Sequence, residues 1–171
     1  MSKPITDGTT LIASNSSARA DYFLEELVEA GIVLQGTEIK SIRNQTPNLK
    51  DSFVDITNIK KGGGKVASLE AWLVNFHIGP YSHGNIWNHE PRRRRKLLLH
   101  SKQITRMYGA LTQEGKTLIP TRLYFSPSGR VKVEIAMAKG KKKGDKRADQ
   151  KKKTHDREID QALKQRRRNE E

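Results

Sequence analysis

The sequence predicts a mainly β protein with short helices, a small antiparallel β-barrel carrying a basic C-terminal tail, and three observations lead there. First, runs that alternate apolar and polar residues recur through the first four-fifths of the chain. They are interrupted by brief helical or turn-forming segments, which suits a small barrel better than a parallel sheet. Second, 34% of the 171 residues are apolar. This is lean against the roughly 45–50% usual when Gly is counted in, so one core can form only if part of the chain stays outside it. Third, charge is spread unevenly along the chain. The net charge is +14, from 33 Lys or Arg and 19 Asp or Glu. Residues 1–138 hold 19 basic and 12 acidic residues and residues 139–171 hold 14 and 7, so each part carries +7. The second part offers only Ala148, Ile159, Ala162 and Leu163 as apolar residues. It cannot bury enough surface to offset the entropy of ordering itself, and is expected to be disordered when free. A barrel over 1–138 and a tail over 139–171 follow.

Taken in order, Thr9 to Ala13 is a short β-like run and Asn15-Ser16-Ser17 a turn or cap. Tyr22 to Ala30 is ambiguous, and its apolar spacing leans towards helix, with Gly31 as a C-cap. Thr37 to Arg43 fits a short helix capped by Thr37 and ended by Asn44-Gln45-Thr46-Pro47. Ser52 to Ile59 alternates as a strand, Lys60 to Lys65 forms a glycine-rich hairpin tip, and Val66 to Ile78 is the returning strand. Gly79-Pro80 breaks it, and Tyr81 to Glu90 is polar and loop-like. After Pro91, the run Arg92 to Leu99 is expected to open a helix with Pro at its first turn. Lys102 to Glu114 places Ile104, Met107, Tyr108 and Leu111 along one helical stripe, stopped by Gly115. Thr117 to Phe125 and Arg130 to Met137 flank Ser126-Pro127-Ser128-Gly129, the clearest hairpin in the chain. Within the tail, Thr154 to Arg168 aligns Ile159, Ala162 and Leu163 without Gly or Pro, as a helix formed on contact with a partner would; the alternative is a solvated basic tail adding nonspecific affinity.

Chemistry is bounded by what is missing. There is no Cys, which removes disulfides, thiol catalysis and thiolate metal sites. Gly62-Gly63-Gly64-Lys65-Val66 lacks the opening Gly and the Ser or Thr of a phosphate loop. His77, His83 and His89 recur every six residues, no zinc spacing. No Gly-x-Ser-x-Gly context and no acid–base pair of carboxylates stands out. These readings point to no enzyme, no cofactor and no metal. The start of the chain has no apolar run of a signal peptide, and no stretch reaches a membrane span, so a cytoplasmic protein with no membrane partner is expected.

What remains is nucleic-acid chemistry. Arg92 to Lys96 puts five cations in a row, which repel one another unless phosphates neutralise them. Tyr81, His83, Asn85, Trp87, Asn88 and His89 lie beside them and could stack on or hydrogen-bond to exposed bases. The competing reading has Tyr81 and Trp87 closing the barrel mouth while the arginines are solvated.

Four blocks then stand out in one order: EAGIVLQGTEIKSIR (Glu29 to Arg43), NLKDSFV (Asn48 to Val54), NHEPRRRRKLLLH (Asn88 to His100) and AKGKKKGDKR (Ala138 to Arg147). Together they resemble the SmpB family of tmRNA-binding (SsrA-binding) proteins, over about Thr10 to Arg147. The resemblance implies an oligonucleotide-binding (OB)-type antiparallel barrel with a tail disordered in solution. It also implies a long strand at Tyr22 to Ala30, against the local helical lean, and the family reading is adopted. Its implied function is trans-translation, by a monomer. The barrel holds the transfer-RNA-like domain of tmRNA and delivers it to a stalled ribosome. The tail, helical there, enters the empty mRNA channel near the small-subunit decoding centre. RNA contacts implied by the resemblance fall on Glu29, Leu98 and His100, with Arg95 and Lys96 matching its Arg-Lys, and ribosome contacts of the tail on Gly140, Lys141, Lys142, Asp145, Lys146 and Arg147; Arg43 and Arg94 are further candidate RNA contacts. Three departures stand out. Gly144 replaces an aromatic or His before Asp-Lys-Arg. Arg43-Asn44-Gln45-Thr46 lacks the Lys that relatives carry there, and Lys60 to Ser68 is a longer, basic hairpin tip. The main alternative is a general basic structural protein of ribosome or nucleoid.

Overall fold

The computed structural model describes residues 4–5, 8–60 and 66–169. In chain order its elements are β1 (Pro4–Ile5), β2 (Thr9–Ser14), α1 (Ala18–Asp21), β3 (Tyr22–Ile32), α2 (Gly36–Asn44), β4 (Phe53–Lys60), β5 (Val66–Val74), a 3-10 turn (Asn85–Trp87), β6 (Arg95–Leu98), α3 (Ser101–Thr112), β7 (Thr117–Phe125), β8 (Val131–Gly140) and α4 (Lys143–Asn169). Every strand pair is antiparallel, in the order β1-β2-β7-β8-β3-β6-β5-β4. The far edge, β4, comes back against β7, so the sheet curls around one core. The mainly β architecture with short helices is therefore the one expected.

The core is built by period-two alternation. Val28, Ala30 and Ile32 of β3, Leu97 of β6, Leu118 and Leu123 of β7, and Val133 and Ile135 of β8 point inward. Ile104 and Met107 of α3 cover them. Each of the Val, Leu, Ile and Met side chains among them contributes about 1.5–3 kcal/mol on burial. Gly115, at φ +61°, ends the turn after α3, and Gly129, at φ +75°, closes the β7–β8 hairpin, whose Ser126 N–H donates to the Arg130 carbonyl at 2.8 Å. Pro120 sits inside β7 because the ladder to β8 shifts register between Pro120 and Arg122, where no donor is required.

β3 is a strand, as the resemblance implied. The helical lean came from Leu24, Leu27 and Val28, but Phe23 and Leu27 are apolar residues on the outer face, and inward positions alternate from Tyr22 to Ile32. Pairing with β8 along Tyr22 to Gly31 overrides the local spacing.

Four expectations are corrected. Arg92 to Leu99 does not open a helix: Leu97 and Arg95 point inward, and β6 forms ladders with both β5 (Trp72↔Lys96, Leu73↔Arg95) and β3 (Gly31↔Leu98, Ile32↔Leu97). A helix there would leave one edge of β3 and one edge of β5 unpaired and break the sheet between them. β5 ends at Val74, not Ile78, because Asn75 adopts φ +57°, after which Phe76 and Ile78 turn into the core out of phase with Ala71 and Leu73. α2 is capped by Gln35, not Thr37; Gln35 N–H donates to the Glu38 carboxylate at 2.6 Å, one half of a capping box. β8 continues past Met137 through Lys139 and Gly140, which pair with Phe23 and Tyr22, so the sheet runs two residues beyond Ala138. The expected tip at 61–65 lies outside the described residues.

Candidate nucleic-acid interface

Alternation along β6 decides which of its basic residues can meet a ligand. Lys96 and Leu98 point outward, while Arg95 points into the barrel with its side chain 0% exposed. Inside, Arg95 Nε donates to Glu38 Oε1 at 2.8 Å, and its other nitrogens donate to the carbonyls of Phe76 (2.6 Å), Arg93 (3.0 Å) and Pro91 (3.1 Å), with the guanidinium over the Phe76 ring. Arg93 reaches the same carboxylate, Nε to Oε1 at 2.9 Å and Nη2 to Oε2 at 2.5 Å. Burial alone would raise the Glu38 pKa, but hydrogen bonds from Arg93, Gln35 and Arg95 outweigh it and hold the carboxyl below its ordinary value. The expected RNA contact at Arg95 is thus overturned: it has no surface to offer. Arg93 and Arg95 joined to Glu38 form a buried cluster that ties β6 to α2.

The outward residues gather around a cavity of about 1000 Å³ between β3, β6 and the start of α3. Glu29, Lys96, Leu98 and His100 all line it. Leu98 is 56% exposed and stands on the outer face of β6 beside Lys96. Gly31 lies directly opposite on β3, where an added Cβ would come within 3.2 Å of the Leu98 Cβ, so glycine lets the two strands approach there. Lys96 forms an ion pair with Glu70 on β5. His100 stands at the N-terminus of α3, where its N–H donates to Gln103 Oε1 at 3.1 Å, leaving the ring exposed at the cavity rim.

Glu29 is placed by its neighbours across the sheet. Lys132 Nζ on β8 donates to Glu29 Oε1 at 3.0 Å, and the Tyr124 hydroxyl on β7 donates to Oε2. These two bonds, the tyrosine's first, hold the Glu29 carboxyl below its ordinary pKa, and burial with the Glu29 bond pushes Tyr124 up. Next along the same outer face, Arg122 grips Glu134 with two bonds of 3.0 and 2.6 Å and Thr121 Oγ1 adds a third at 2.6 Å. Burial would raise the Glu134 carboxyl, but these bonds win and lower it. Tyr124 and Lys132 escaped the sequence reading, although the period-two pattern of the expected strand already put Lys132 on its outer face.

Arg94 and Arg43 lie elsewhere. Arg94 is half exposed, pairs with Asp55 at 2.7 Å and stacks over Trp72; Arg43 is exposed at the end of α2 with its guanidinium 6.0 Å from the Phe125 ring centre. Neither lines the cavity. The three histidines are not together either: His89 is buried between Thr37 Oγ1 (3.1 Å) and the Ile78 carbonyl (3.2 Å), His83 is exposed beside Ser82, and His77 pairs its backbone with Asn48. Among the described residues, no group of three or more His, Asp or Glu is arranged to hold a metal ion.

At the root of α4 the tail residues are held unequally. Gly140 ends β8, and the Lys141 N–H donates to the Asp21 carbonyl at 2.9 Å. Lys141 Nζ donates to the Arg19 carbonyl (2.7 Å) and Asp149 (2.5 Å) and lies 4.9 Å from the Phe23 ring centre. Asp145 accepts from the Lys142 N–H at 3.0 Å and sits in the first turn, where the helix dipole favours a carboxylate. Lys146 pairs with Asp21 at 2.7 Å; Lys142 and Arg147 are exposed. Lys141 and Lys146 therefore orient α4 on α1 and β3 as much as they present charge.

The sequence and the fold are similar to those of known proteins. A family model described as SmpB protein matches residues 12–165. The SsrA-binding protein of Fervidobacterium nodosum is 52% identical over 154 residues, covering 90% of this chain and 97% of that relative. The SsrA-binding proteins of Geobacillus thermodenitrificans (52% over 156 residues, 91% and 94% covered) and Enterococcus faecalis (52% over 158 residues, 92% and 96% covered) are similar to it as well. A chain of a solved structure described as "tmRNA-SmpB: a journey to the center of the bacterial ribosome" superposes with a TM-score of 0.60 at 38% identity, over 81% of this chain and 93% of that one.

Proposed function

Because the chain belongs to the SmpB protein family, we propose that it binds the transfer-RNA-like domain of tmRNA and carries it to stalled ribosomes in trans-translation. The observation that carries this reading is the cavity by β6: four residues separated by up to 71 positions in sequence, Glu29, Lys96, Leu98 and His100, meet on one outward face. The chemistry suits RNA. Leu98 offers an apolar edge that a base or ribose can cover, Lys96 a cation for phosphate, His100 a ring that donates, accepts or stacks, and Glu29 an ionised acceptor for base amino or ribose hydroxyl donors. Glu29 does not repel the backbone strongly, since Lys132 balances its charge. Arg94 and Arg43 supply phosphate contacts outside the cavity.

The protein makes and breaks no bond: it is an RNA-binding factor rather than an enzyme, needs no cofactor, and acts as a cytoplasmic monomer. None of its described helices is long and apolar enough to cross a membrane. Residues up to Gly140, where β8 ends, form the RNA-binding barrel. The residues after it form the ribosome-sensing tail, whose helix α4 enters a message channel walled by phosphates; message and tail compete for that space. Lys142 and Arg147 face the channel, while Lys141 and Lys146 set the direction in which the tail leaves the barrel. Binding to the isolated transfer-RNA-like domain, compared with a DNA duplex of equal charge across a salt series, tests the reading. Strong preference for the domain at physiological salt, weakened by Leu98→Asp without loss of fold, is expected; equal affinities would leave a general polycation.

A further inference from the structure

The turn at Asn85–Trp87 has no part in the site just described. It lies before the Arg95 end of β6, whereas the cavity is built at the Leu98 end and beyond. Its two apolar residues are the most exposed large hydrophobic side chains described: Ile86 is 85% and Trp87 82% exposed. A loop that leaves a tryptophan largely in water has not used it for its own packing.

The loop is nonetheless firmly built. Asn88 staples it shut, its side chain accepting from the Tyr81 N–H at 3.0 Å and donating to the Tyr81 carbonyl at 2.8 Å. Gly84 N–H closes on the Tyr81 carbonyl at 2.9 Å and Trp87 N–H on the Gly84 carbonyl at 3.0 Å. Gly84 is buried, with no room for a Cβ beside the Asn88 amide, and the buried His89 pins the exit of the loop to α2. Asn85 takes φ +45°, a left-handed conformation that asparagine tolerates, and so turns Ile86 and Trp87 outward. The two side chains are presented on a fixed support.

Charge around the turn selects the partner. Residues 79–94 contain one carboxylate, Glu90; Arg93 is paired with Glu38 and Arg94 with Asp55, whereas Arg92 donates only to the uncharged Asn75 side chain. Arg92 and His83 are exposed, and Lys40 reaches over from α2 to the Tyr81 ring at 5.7 Å. An exposed aromatic ring on a loop that also carries the cation Arg92 and, reaching over at Tyr81, meets Lys40 matches a base with its phosphates. Only an unpaired base offers its face to such a ring. We propose that the Ile86–Trp87 turn is a second RNA contact, on which an unpaired base of single-stranded RNA stacks while Arg92 and Lys40 meet its backbone. It acts independently of the transfer-RNA-like-domain site.

The chain has two tryptophans, so a Trp72→Phe protein reports on Trp87 alone. Titration with a short oligouridylate should quench its emission in a salt-reversible way. Trp87→Ala should weaken oligouridylate binding about 5- to 100-fold, Trp87→Phe should restore most of it, and affinity for the transfer-RNA-like domain and for a DNA duplex should stay within twofold of the parent's. Circular dichroism should show all variants folded, since the side chain is outside the core. Unchanged emission, or an oligouridylate affinity unaffected by Trp87→Ala, would overturn the proposal. So would loss of ribosome association with oligouridylate binding intact, which would assign the turn to a protein partner.

Discussion

Removing the Glu38 carboxylate should unfold a large part of the stability margin while touching no RNA contact. Glu38 and Arg95 are each 0% exposed, and the carboxylate accepts from Arg93, Arg95 and the Gln35 N–H. In Glu38→Ala, Arg95 keeps its three carbonyl partners but its charge stays buried without a counter-charge. Breaking one side of such a pair costs about 3–5 kcal/mol, against a total of about 5–15 kcal/mol for a domain. At about 2–4 °C per kcal/mol for a chain of this size, the thermal midpoint should fall by about 6–20 °C. Acid provides a second handle. The folded-state pKa of Glu38 lies below its unfolded value, so the stability it confers is present above the unfolded pKa, about 4.3, and is lost as pH falls through the lowered folded value. Glu38→Gln should lose that acid-side step along with part of the margin. Urea unfolding followed by circular dichroism at neutral and acid pH measures both. A cost under about 1 kcal/mol, typical of exposed ion pairs, would refute the buried cluster and return Arg95 to solvent, free to meet phosphate.

Other outcomes follow from the same geometry. Arg94→Glu, at a half-exposed position, should lower the salt slope of tmRNA binding by about one for each phosphate that Arg94 neutralises; an unaltered slope would place Arg94 outside the interface. Tyr124→Phe and Lys132→Met should each raise the carboxyl titration midpoint of Glu29 towards the ordinary glutamate range, as read by NMR, because the two bonds that hold it down are these; a midpoint that stays put would remove them as its positioning partners. Deleting residues 143–171, which begins after the last strand and after Lys141, should leave the melting transition and binding of the transfer-RNA-like domain largely intact while abolishing peptide tagging. Loss of RNA binding in step with tagging would show that barrel and tail do not divide the work.

Much of this fold was legible because alternation and turn chemistry agree with tertiary pairing. The β7–β8 hairpin around Ser126 to Gly129, the stripe of α3 and the strand at Phe53–Lys60 are where local pattern and environment coincide. Legibility failed where a charge had to be read as buried. Arg92 to Lys96 read as a cationic helix face, since a sequence gives no hint that Glu38, 57 residues upstream of Arg95, waits inside to receive two of those arginines. Had Arg95-Lys96-Leu97-Leu98 been read as a strand, its alternation with the buried Leu97 would have turned Arg95 inward and Lys96 outward. β3 misled for the opposite reason: its outer face carries Phe23 and Leu27, so apolar spacing no longer marks the core. Of the candidate site, Glu29, Lys96, Leu98 and His100 came from the family resemblance and share one cavity. Tyr124 and Lys132 belong to strands far along the chain and meet Glu29 only once the sheet has formed.

In the proposed function this chain couples recognition of tmRNA to recognition of an empty message channel. The measurement that tests this coupling most directly is peptide tagging of a reporter translated from a message without a stop codon, in an extract depleted of its own tmRNA-binding factor and supplemented with tmRNA and this protein. Tagging should return with the full chain, fail with Leu98→Asp for want of tmRNA, and fail with the 143–171 deletion despite bound tmRNA. Tagging by the truncated chain at the full rate, or no tagging by a full chain that binds tmRNA tightly, would contradict it.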